Sequence, residues 1–311
     1  MFAALRRRLA GADAPSPIAE LHQPAAAQSQ PPPIPLPALL ARDEALRQRS
    51  AHFAAAADSQ QPVLDQALAD LSAAGRLRPD QLAYAADHRR RFGEALHAIH
   101  ALLSPDPAWP ACRVMEVGSS ITPMLFHSAF PALRLTAACL FRHPQLEGIV
   151  ERAVQVDLEK LDLRGEAGFN VPGGPVQDLH MVMLCEVLEH LVVNPANLFR
   201  MLATTLRPGG VLYVTTPNFL RASSRAALAA GRNPQPLYRP EFRPEDRFHH
   251  HVREYTMAEL LDAMQAAGLA VEVAQYSACW DSPEAVARLP DDMLQNLVVV
   301  GRKPMESAPG A

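Results

Sequence analysis

The 311-residue sequence has few of the features that mark several large classes of protein. Its four cysteines lie far apart and form no C-x-x-C motif, so reduced thiols in a cytoplasmic protein are expected. No apolar run approaches the length of a membrane span. The net charge is only −4, which provides no broad basic surface for a phosphate backbone. The composition therefore argues against a disulfide scaffold, a protein with stable membrane insertion and a nucleic-acid binder.

The first third of the chain is predicted to be a tail followed by helices. Residues 1–38 are rich in Pro, Ala, Ser and Gln, which predicts a disordered tail, and Arg6–Arg8 interrupt any apolar secretory signal. Residues 39–104 show helical periodicity, with predicted segments near 42–57, 62–74 and 79–103. The basic run His88–Arg91 is placed mostly on the polar face of the last segment. It is either solvated or able to grip an anionic substrate group.

Strands and helices alternate from residue 111 to residue 303. Apolar, β-branched runs predict strands near 112–118, 133–140, 153–156, 179–184, 211–215, 271–273 and 297–300. Helix signals between them include Thr122-Pro123, a segment at 144–152, Asn194-Pro195 and the capping box Thr256–Glu259. This alternation predicts an α/β domain with a doubly wound sheet, carrying an insert at 217–256 and ending in a tail at 304–311.

Three motifs in the centre of this domain carry a family resemblance. They are CEVLEHL at 185–191, LRPGG at 206–210 and TTPN at 215–218. In this order and spacing they resemble the central segment of class I S-adenosylmethionine (SAM)-dependent methyltransferases, in particular the small-molecule type that includes ubiquinone-biosynthesis O-methyltransferases. The resemblance implies a Rossmann-like sheet of seven strands, the last antiparallel, with SAM as the cofactor.

The resemblance also implies which strand ends meet SAM. The implied contacts are Glu116, Gly118 and Ser119 after the first strand, Cys139 after the second, Asp157 and Leu158 after the third, and Glu186 after the fourth. The glycine motif is degenerate, because serines follow Gly118 where the family has further glycine. The second strand lacks the family's ribose-binding acid, a loss of roughly 1–3 kcal/mol.

Glu189 and His190 are the predicted catalytic residues. Glu186, Glu189 and His190 have the i, i+3, i+4 spacing that puts them on one face of any helical turn. A histidine titrating near neutrality suits the removal of a proton from a hydroxyl acceptor. Two alternatives stay open: the trio can hold a divalent metal that orients a diol, or it can serve the loop structurally. No metal site is assigned.

The insert supplies the predicted substrate-binding residues: Asn218, His250, Arg253 and Tyr255. The stretch FHHHVREYT at 248–256 resembles the H-x-R-x-[YF]-[ST] motif of the same methyltransferase type. Adjacent histidines suggest a metal, yet consecutive side chains diverge in an extended segment, which favours substrate contacts or packing.

The predicted function is methyl transfer to a small-molecule or glycan-type acceptor, on oxygen. A homodimer is compatible with the N-terminal helices. The alternative is a catalytically inactive methyltransferase-fold protein that serves as a binding or scaffold module. A nicotinamide dehydrogenase is disfavoured, because no G-x-G-x-x-G follows the first strand.

Overall fold

The computed structural model describes residues 38–118, 121–163, 169–235, 250–279 and 287–305. Most of the predicted tails, Ser119 and part of the insert lie outside these residues. The region before the sheet is helical: α1 (Ala38–Arg42), α2 (Glu44–Ala55), α3 (Gln61–Ala73), α4 (Pro79–Asp87) and α5 (Arg89–Leu103). The prediction of one helix over 79–103 was wrong. The chain breaks at His88, which ends α4 and begins α5.

The central sheet has seven strands in the order β3-β2-β1-β6-β7-β9-β8. The strands are β1 (Arg113–Val117), β2 (Arg134–Cys139), β3 (Arg152–Gln155), β6 (Leu179–Cys185), β7 (Leu206–Pro217), β8 (Ala270–Ser277) and β9 (Asn296–Arg302). β9 runs antiparallel to both of its neighbours, and the other pairs are parallel. The predicted fold is therefore confirmed. A short ribbon of β4 (Asn170–Val171) and β5 (Gly174–Pro175) was not predicted.

Local capping explains the helices that lie between the strands: α6 (Thr122–Ala129), α7 (Pro195–Thr205), α8 (Ala222–Ala229) and α9 (Met257–Ala266). The Asn194 side chain accepts hydrogen bonds from two backbone N–H groups at the start of α7. The capping box of Thr256 and Glu259 opens α9 as predicted. The predicted helix at 144–152 was wrong: after one 3₁₀ turn, Glu147 is extended and Gly148 has φ +76°.

Both faces of the sheet are covered. On one face, α5 packs against β6 and buries Leu96 and Ile99, while α2 packs on the edge strand β8. On the other, α7 and α9 pack together and bury Leu202 and Leu260. Of the helices that the structure describes, none combines the length and hydropathy that crossing a bilayer requires. The N-terminal helices thus lie directly on the sheet that positions the site.

Helix α5 carries a buried carboxylate, Glu94, which is 3% exposed. The Ser277 hydroxyl lies 2.6 and 2.7 Å from its two oxygens. Burial raises the pKa of Glu94, and the hydrogen bond from Ser277 offsets only part of that effect. The native state therefore retains this proton at pH values where the unfolded chain has released it.

Glu94→Gln is expected to remove a pH-dependent loss of stability. Because the folded pKa lies above the unfolded value, the contribution of Glu94 is complete below the unfolded pKa. It is lost as pH rises toward the folded pKa. As pH rises above the ordinary pKa of a glutamate, about 4.3, the wild-type protein should lose stability relative to Glu94→Gln. Urea unfolding at several pH values measures the difference, and parallel curves for the two proteins would contradict it.

Candidate cofactor and acceptor site

A small cavity lies at the edge of the sheet where the strand order reverses. The chain passes from β1 outward through β2 to β3 and then returns to β6 on the other side of β1. Parallel sheets bind ligands at such a switch point, beyond the carboxyl ends of the strands. The cavity has a volume of about 100 Å³. Its lining includes Glu116, Gly118, Thr122, Cys185, Glu186 and Val187 from the sheet side, and Tyr84, Arg91, Phe92 and Ala95 from α4 and α5.

Gly118 lines this cavity at a point where a side chain would collide with the facing loop. Its φ is +104°, a conformation that favours glycine, and its N–H donates to Ala138 O at 2.8 Å. A Cβ on Gly118 would lie 2.2 Å from Cγ2 of Val187. The sequence requirement for glycine at the end of β1 therefore has two causes, the backbone conformation and the side chain of the facing loop.

Glu186 is held in a strained position above β6. It has φ +54°, unusual for a residue with a side chain, and its N–H donates to Thr215 O at 3.0 Å. Its Oε1 accepts hydrogen bonds from Thr215 Oγ1 at 2.7 Å and from Asn296 Nδ2 at 2.8 Å. The Glu186 carboxylate is thereby fixed at the cavity wall.

Arg91, the last residue of the basic run His88–Arg91, lies above the same carboxylate and is not among the predicted site residues. Its Nη1 lies 3.8 Å from Glu186 Oε2, with both side chains about nine-tenths buried. Its Nη2 donates to the Tyr84 hydroxyl at 2.5 Å. Burial opposes the charge on Arg91, but the Glu186 carboxylate together with Tyr84 and Cys185 outweighs it, and the pKa of Arg91 is raised. The cavity is therefore closed on its helical side by a charged pair.

The edge beyond β2 and β3 is more open than the cavity. Cys139 and Leu158 are buried, and the Phe141 side chain, two residues after Cys139, is 59% exposed. Asp157 accepts a hydrogen bond from Glu159 N at 3.1 Å, and its Oδ2 lies 3.1 Å from Lys160 Nζ. Asp157 thus begins a 3₁₀ turn, which is the structural role that a strand-end aspartate often has.

Glu189 and His190 belong to a 3₁₀ turn, Leu188–His190, that starts after Glu186. The three side chains consequently do not share one helical face, contrary to the prediction. The Glu189 side chain is 1% exposed and accepts from Thr216 Oγ1 at 2.9 Å. Burial and the nearby charge of Glu186 raise its pKa. His190 Nε2 lies 3.8 Å from Glu189 Oε1, and His190 Nδ1 lies 2.9 Å from His250 O.

The insert returns to this turn through His251, which the sequence-based site prediction omitted. His251 Nδ1 lies 2.8 Å from Glu254 Oε1, and the His190 and His251 ring centroids are 5.0 Å apart. Glu254 also accepts from Arg221 Nη2 at 3.1 Å. Burial opposes ionisation of Glu254, but the hydrogen bonds from His251 and Arg221 outweigh it and lower the pKa.

Three of the four predicted substrate-binding residues contact one another: Asn218 pairs with Tyr255 as a β-bridge, and Arg253 Cζ lies 5.4 Å from the Tyr255 ring centroid. Asn218 is fully buried, donates to the carbonyls of Asp292 and Leu294, and accepts from Leu220 N, so its side chain is occupied by backbone groups. Tyr255 is 2% exposed. Arg253 is largely exposed and donates to Glu259. Two of the four reach the Glu189–His190 turn through backbone groups: the His250 carbonyl lies 2.9 Å from His190 Nδ1, and the Arg253 N–H donates to Glu189 O at 3.2 Å.

A methyltransferase-domain family model matches residues 168–273, the region that contains the β6 turn and α9. Together with the seven-stranded sheet, this match confirms the resemblance to class I SAM-dependent methyltransferases. SAM is the cofactor that domains of this family use. No curated protein matches the chain.

Several solved structures are similar in fold. One is the 1,6-didemethyltoxoflavin-N1-methyltransferase of Burkholderia thailandensis, with bound 1,6-didemethyltoxoflavin and S-adenosylhomocysteine: 20% identity, TM-score 0.43, covering 75% of this chain and 89% of that one. Another is the N-methyltransferase NodS of Bradyrhizobium japonicum in complex with S-adenosylhomocysteine. It is 13% identical with a TM-score of 0.42, and the match covers 77% of this chain and 99% of NodS. A third is a SAM-dependent methyltransferase from Methanosarcina mazei. It is 12% identical with a TM-score of 0.46, and the match covers 67% of this chain and 97% of that one. Identities of this size carry no information on the acceptor.

Proposed function

We propose that the protein is a SAM-dependent methyltransferase that transfers a methyl group to oxygen of a small-molecule or glycan-type acceptor. The observation that carries the proposal is the position of the cavity, at the switch point between the ends of β1 and β6. Gly118 and Glu186, which resemblance to the family assigns to SAM, both line it. The same edge continues to Asp157 and Leu158 at the end of β3.

The chain's own residues suit the two ends of SAM. At the methionine end of SAM, the buried Arg91 guanidinium would leave the Glu186 carboxylate and pair with the carboxylate of SAM. Gly118, which has no side chain, leaves the backbone there accessible. At the adenosine end, Asp157 would accept from the adenine amino group beside the exposed ring of Phe141. A cavity of about 100 Å³ is smaller than the roughly 300–1,000 Å³ of ligand pockets. Binding therefore requires the Arg91 side chain to leave Glu186.

When bound, SAM supplies an electrophilic methyl group on a sulfonium. The protein's task is to orient the acceptor oxygen in line with that methyl and to remove its proton. His190 suits the second task, because its Nδ1–H donates to the carbonyl of His250 and the lone pair that a base needs is then on Nε2.

The test is transfer of label from methyl-tritiated SAM into a small-molecule extract of the source cells. A labelled product that forms with wild-type protein and disappears with Asp157→Ala supports the proposal. The binding arm is a calorimetric titration of SAM, for which Asp157→Ala is expected to lower affinity about tenfold or more through loss of a hydrogen bond to the adenine.

His190→Ala is expected to lower turnover about 100-fold or more while changing SAM affinity less than about threefold, because a general base acts on the acceptor and not on the cofactor. Initial rates with the labelled product and parallel SAM titrations measure both effects. An unchanged rate would remove His190 as the base. A lost SAM affinity would show that the substitution had disturbed the cofactor edge instead.

The inactive scaffold is the second candidate, and the small volume of the cavity favours it. The two functions differ in one respect that can be measured directly. A scaffold whose crevice is permanently filled by Arg91 and Val187 binds neither SAM nor its demethylated product.

A further inference from the structure

The end of β2 carries a residue that cannot do the work of a ribose-binding acid. On a doubly wound sheet a carboxylate at the end of the second strand commonly holds the ribose of a bound nucleotide. At that place the chain has Cys139, which is 3% exposed and packs in the core on the α5 side of the sheet. A thiol is only a weak hydrogen-bond acceptor. The hydroxyls of a bound ribose therefore need another partner at this edge.

Gln155 ends the neighbouring strand β3 and lies beside Cys139. In the parallel register of β2 and β3, Cys139 is the Cα partner of Gln155. Side chains alternate between the two faces of a strand, and Val154 packs in the opposite core with Ala138. Gln155 consequently projects on the same face as Cys139. Neighbouring strands are about 4.8 Å apart, so the Gln155 side chain starts one strand away from the position of the missing acid.

The Gln155 amide reaches across the end of β2. Its Nε2 donates to the carbonyl oxygen of Leu140, the residue that follows Cys139, at 3.3 Å. The amide also has a second N–H and the acceptor oxygen Oε1. Gln155 is exposed, and within the described part of the chain no hydrogen bond engages its Oε1. Both atoms are therefore open to a ligand that lies over the strand ends.

The carboxylates near the same strand ends have other roles. Glu159 Oε1 accepts from the Val192 N–H at 2.7 Å. Asp157 begins its own 3₁₀ turn and is the residue that we assign to the adenine of SAM. In the described stretches that end β2 and β3, Gln155 is thus the side chain with an oxygen left for a hydroxyl donor.

We propose that Gln155 binds the ribose hydroxyls of SAM, in place of an acid at the end of β2. Its Oε1 would accept from one hydroxyl, and the second N–H of Nε2 would donate to the other. Asp157 lies only two residues further along the chain, and ribose is bonded directly to adenine. The end of β3 would therefore supply both contacts to the adenosine. This inference rests on the proposed function, because it requires SAM at this edge of the sheet.

Gln155→Glu is expected to bind S-adenosylhomocysteine about 3- to 10-fold more tightly than the wild-type protein. Hydrogen bonds to a charged acceptor are roughly twice as strong as neutral ones, and a carboxylate can accept from both hydroxyls. The carboxylate cannot donate to the Leu140 carbonyl, so repulsion directs it toward the ligand. A side chain that only fastened the end of β2 would give no such gain.

The test is a calorimetric titration of S-adenosylhomocysteine, and of its 2′-deoxy and 3′-deoxy analogues, into the full chain and its variants. Gln155→Ala should weaken binding of the parent ligand about 3- to 10-fold. In the wild-type protein, loss of the hydroxyl that donates to Oε1 should cost a similar factor. In Gln155→Ala the same loss should cost less than about twofold, because the partner of that hydroxyl is already gone.

Gln145→Ala is the matched control. Gln145 also follows β2, but its Nε2 lies 3.3 Å from His143 Nδ1. Its removal should leave the affinity within about twofold. Ligand-free melting curves of the Gln155 variants should match that of the wild-type protein, because Gln155 is exposed on an edge strand.

Equal affinities of wild-type protein and Gln155→Ala for S-adenosylhomocysteine overturn the proposal. So does a penalty for the deoxy analogues that is the same in both proteins, or a weaker affinity of Gln155→Glu. In each of these cases the wild-type protein still binds the ligand, and the proposed function stands. A wild-type protein that does not bind S-adenosylhomocysteine would overturn the proposed function and this inference together.

Discussion

Gly118→Arg is expected to abolish binding of S-adenosylhomocysteine, and Gly118→Ala to weaken it about 100-fold or more. A Cβ at this position would lie 2.2 Å from Val187 Cγ2, so the facing loop must move into the cavity. The φ of +104° adds about 1–2 kcal/mol of strain for any other residue. Ligand-dependent shifts in melting temperature and calorimetric affinities measure the effect.

Gly75→Ala is the matched control for this experiment. Gly75 also has positive φ, +64°, but nothing lies within 4 Å of the position that a Cβ would take there. The Gly75→Ala variant should therefore lose stability through backbone strain and bind S-adenosylhomocysteine with unchanged affinity. If Gly118→Ala bound the ligand as tightly as Gly75→Ala, the cavity beside Gly118 would not be the cofactor site.

Arg91→Met is expected to cost about 3–5 kcal/mol of stability, because it leaves the Glu186 carboxylate buried without its cation. It should also lower S-adenosylhomocysteine affinity about 10- to 100-fold, since the ligand's carboxylate loses its partner. Urea unfolding and calorimetry separate the two effects. In the double variant Arg91→Met/Glu186→Gln much of the lost stability should return, while the lost affinity should not.

Arg89→Met is the control on the same helix. Arg89 pairs with Asp65 at the surface, with both side chains nearly half exposed, and exposed pairs contribute about 0–1 kcal/mol. Equal losses of stability from Arg89→Met and Arg91→Met would contradict the view that the Arg91–Glu186 pair closes the cavity.

The parts of the fold that depend on local signals were predictable from the sequence. The Asn194 cap, the proline that follows it and the Thr256–Glu259 capping box act within four residues, so their helices begin where predicted. The apolar strands also follow from pattern alone. The helix at 144–152 failed because periodicity does not register a backbone reversal such as the one at Gly148.

The site was less predictable, because its residues meet through tertiary contacts. Arg91 is buried beside Glu186, although helical periodicity placed the basic run mostly on the polar face. The path of the insert brings the His250 carbonyl and the His251 ring to the Glu189–His190 turn, which no local sequence signal predicts.

The most direct measurement of the central claim is a calorimetric titration of S-adenosylhomocysteine into the wild-type chain, paired with a melting curve. The account predicts one site per chain with a dissociation constant of about 1–100 μM and a higher melting temperature at saturating ligand. No heat and no change in melting temperature at millimolar ligand would contradict it, and would leave a methyltransferase fold whose crevice is filled by its own side chains.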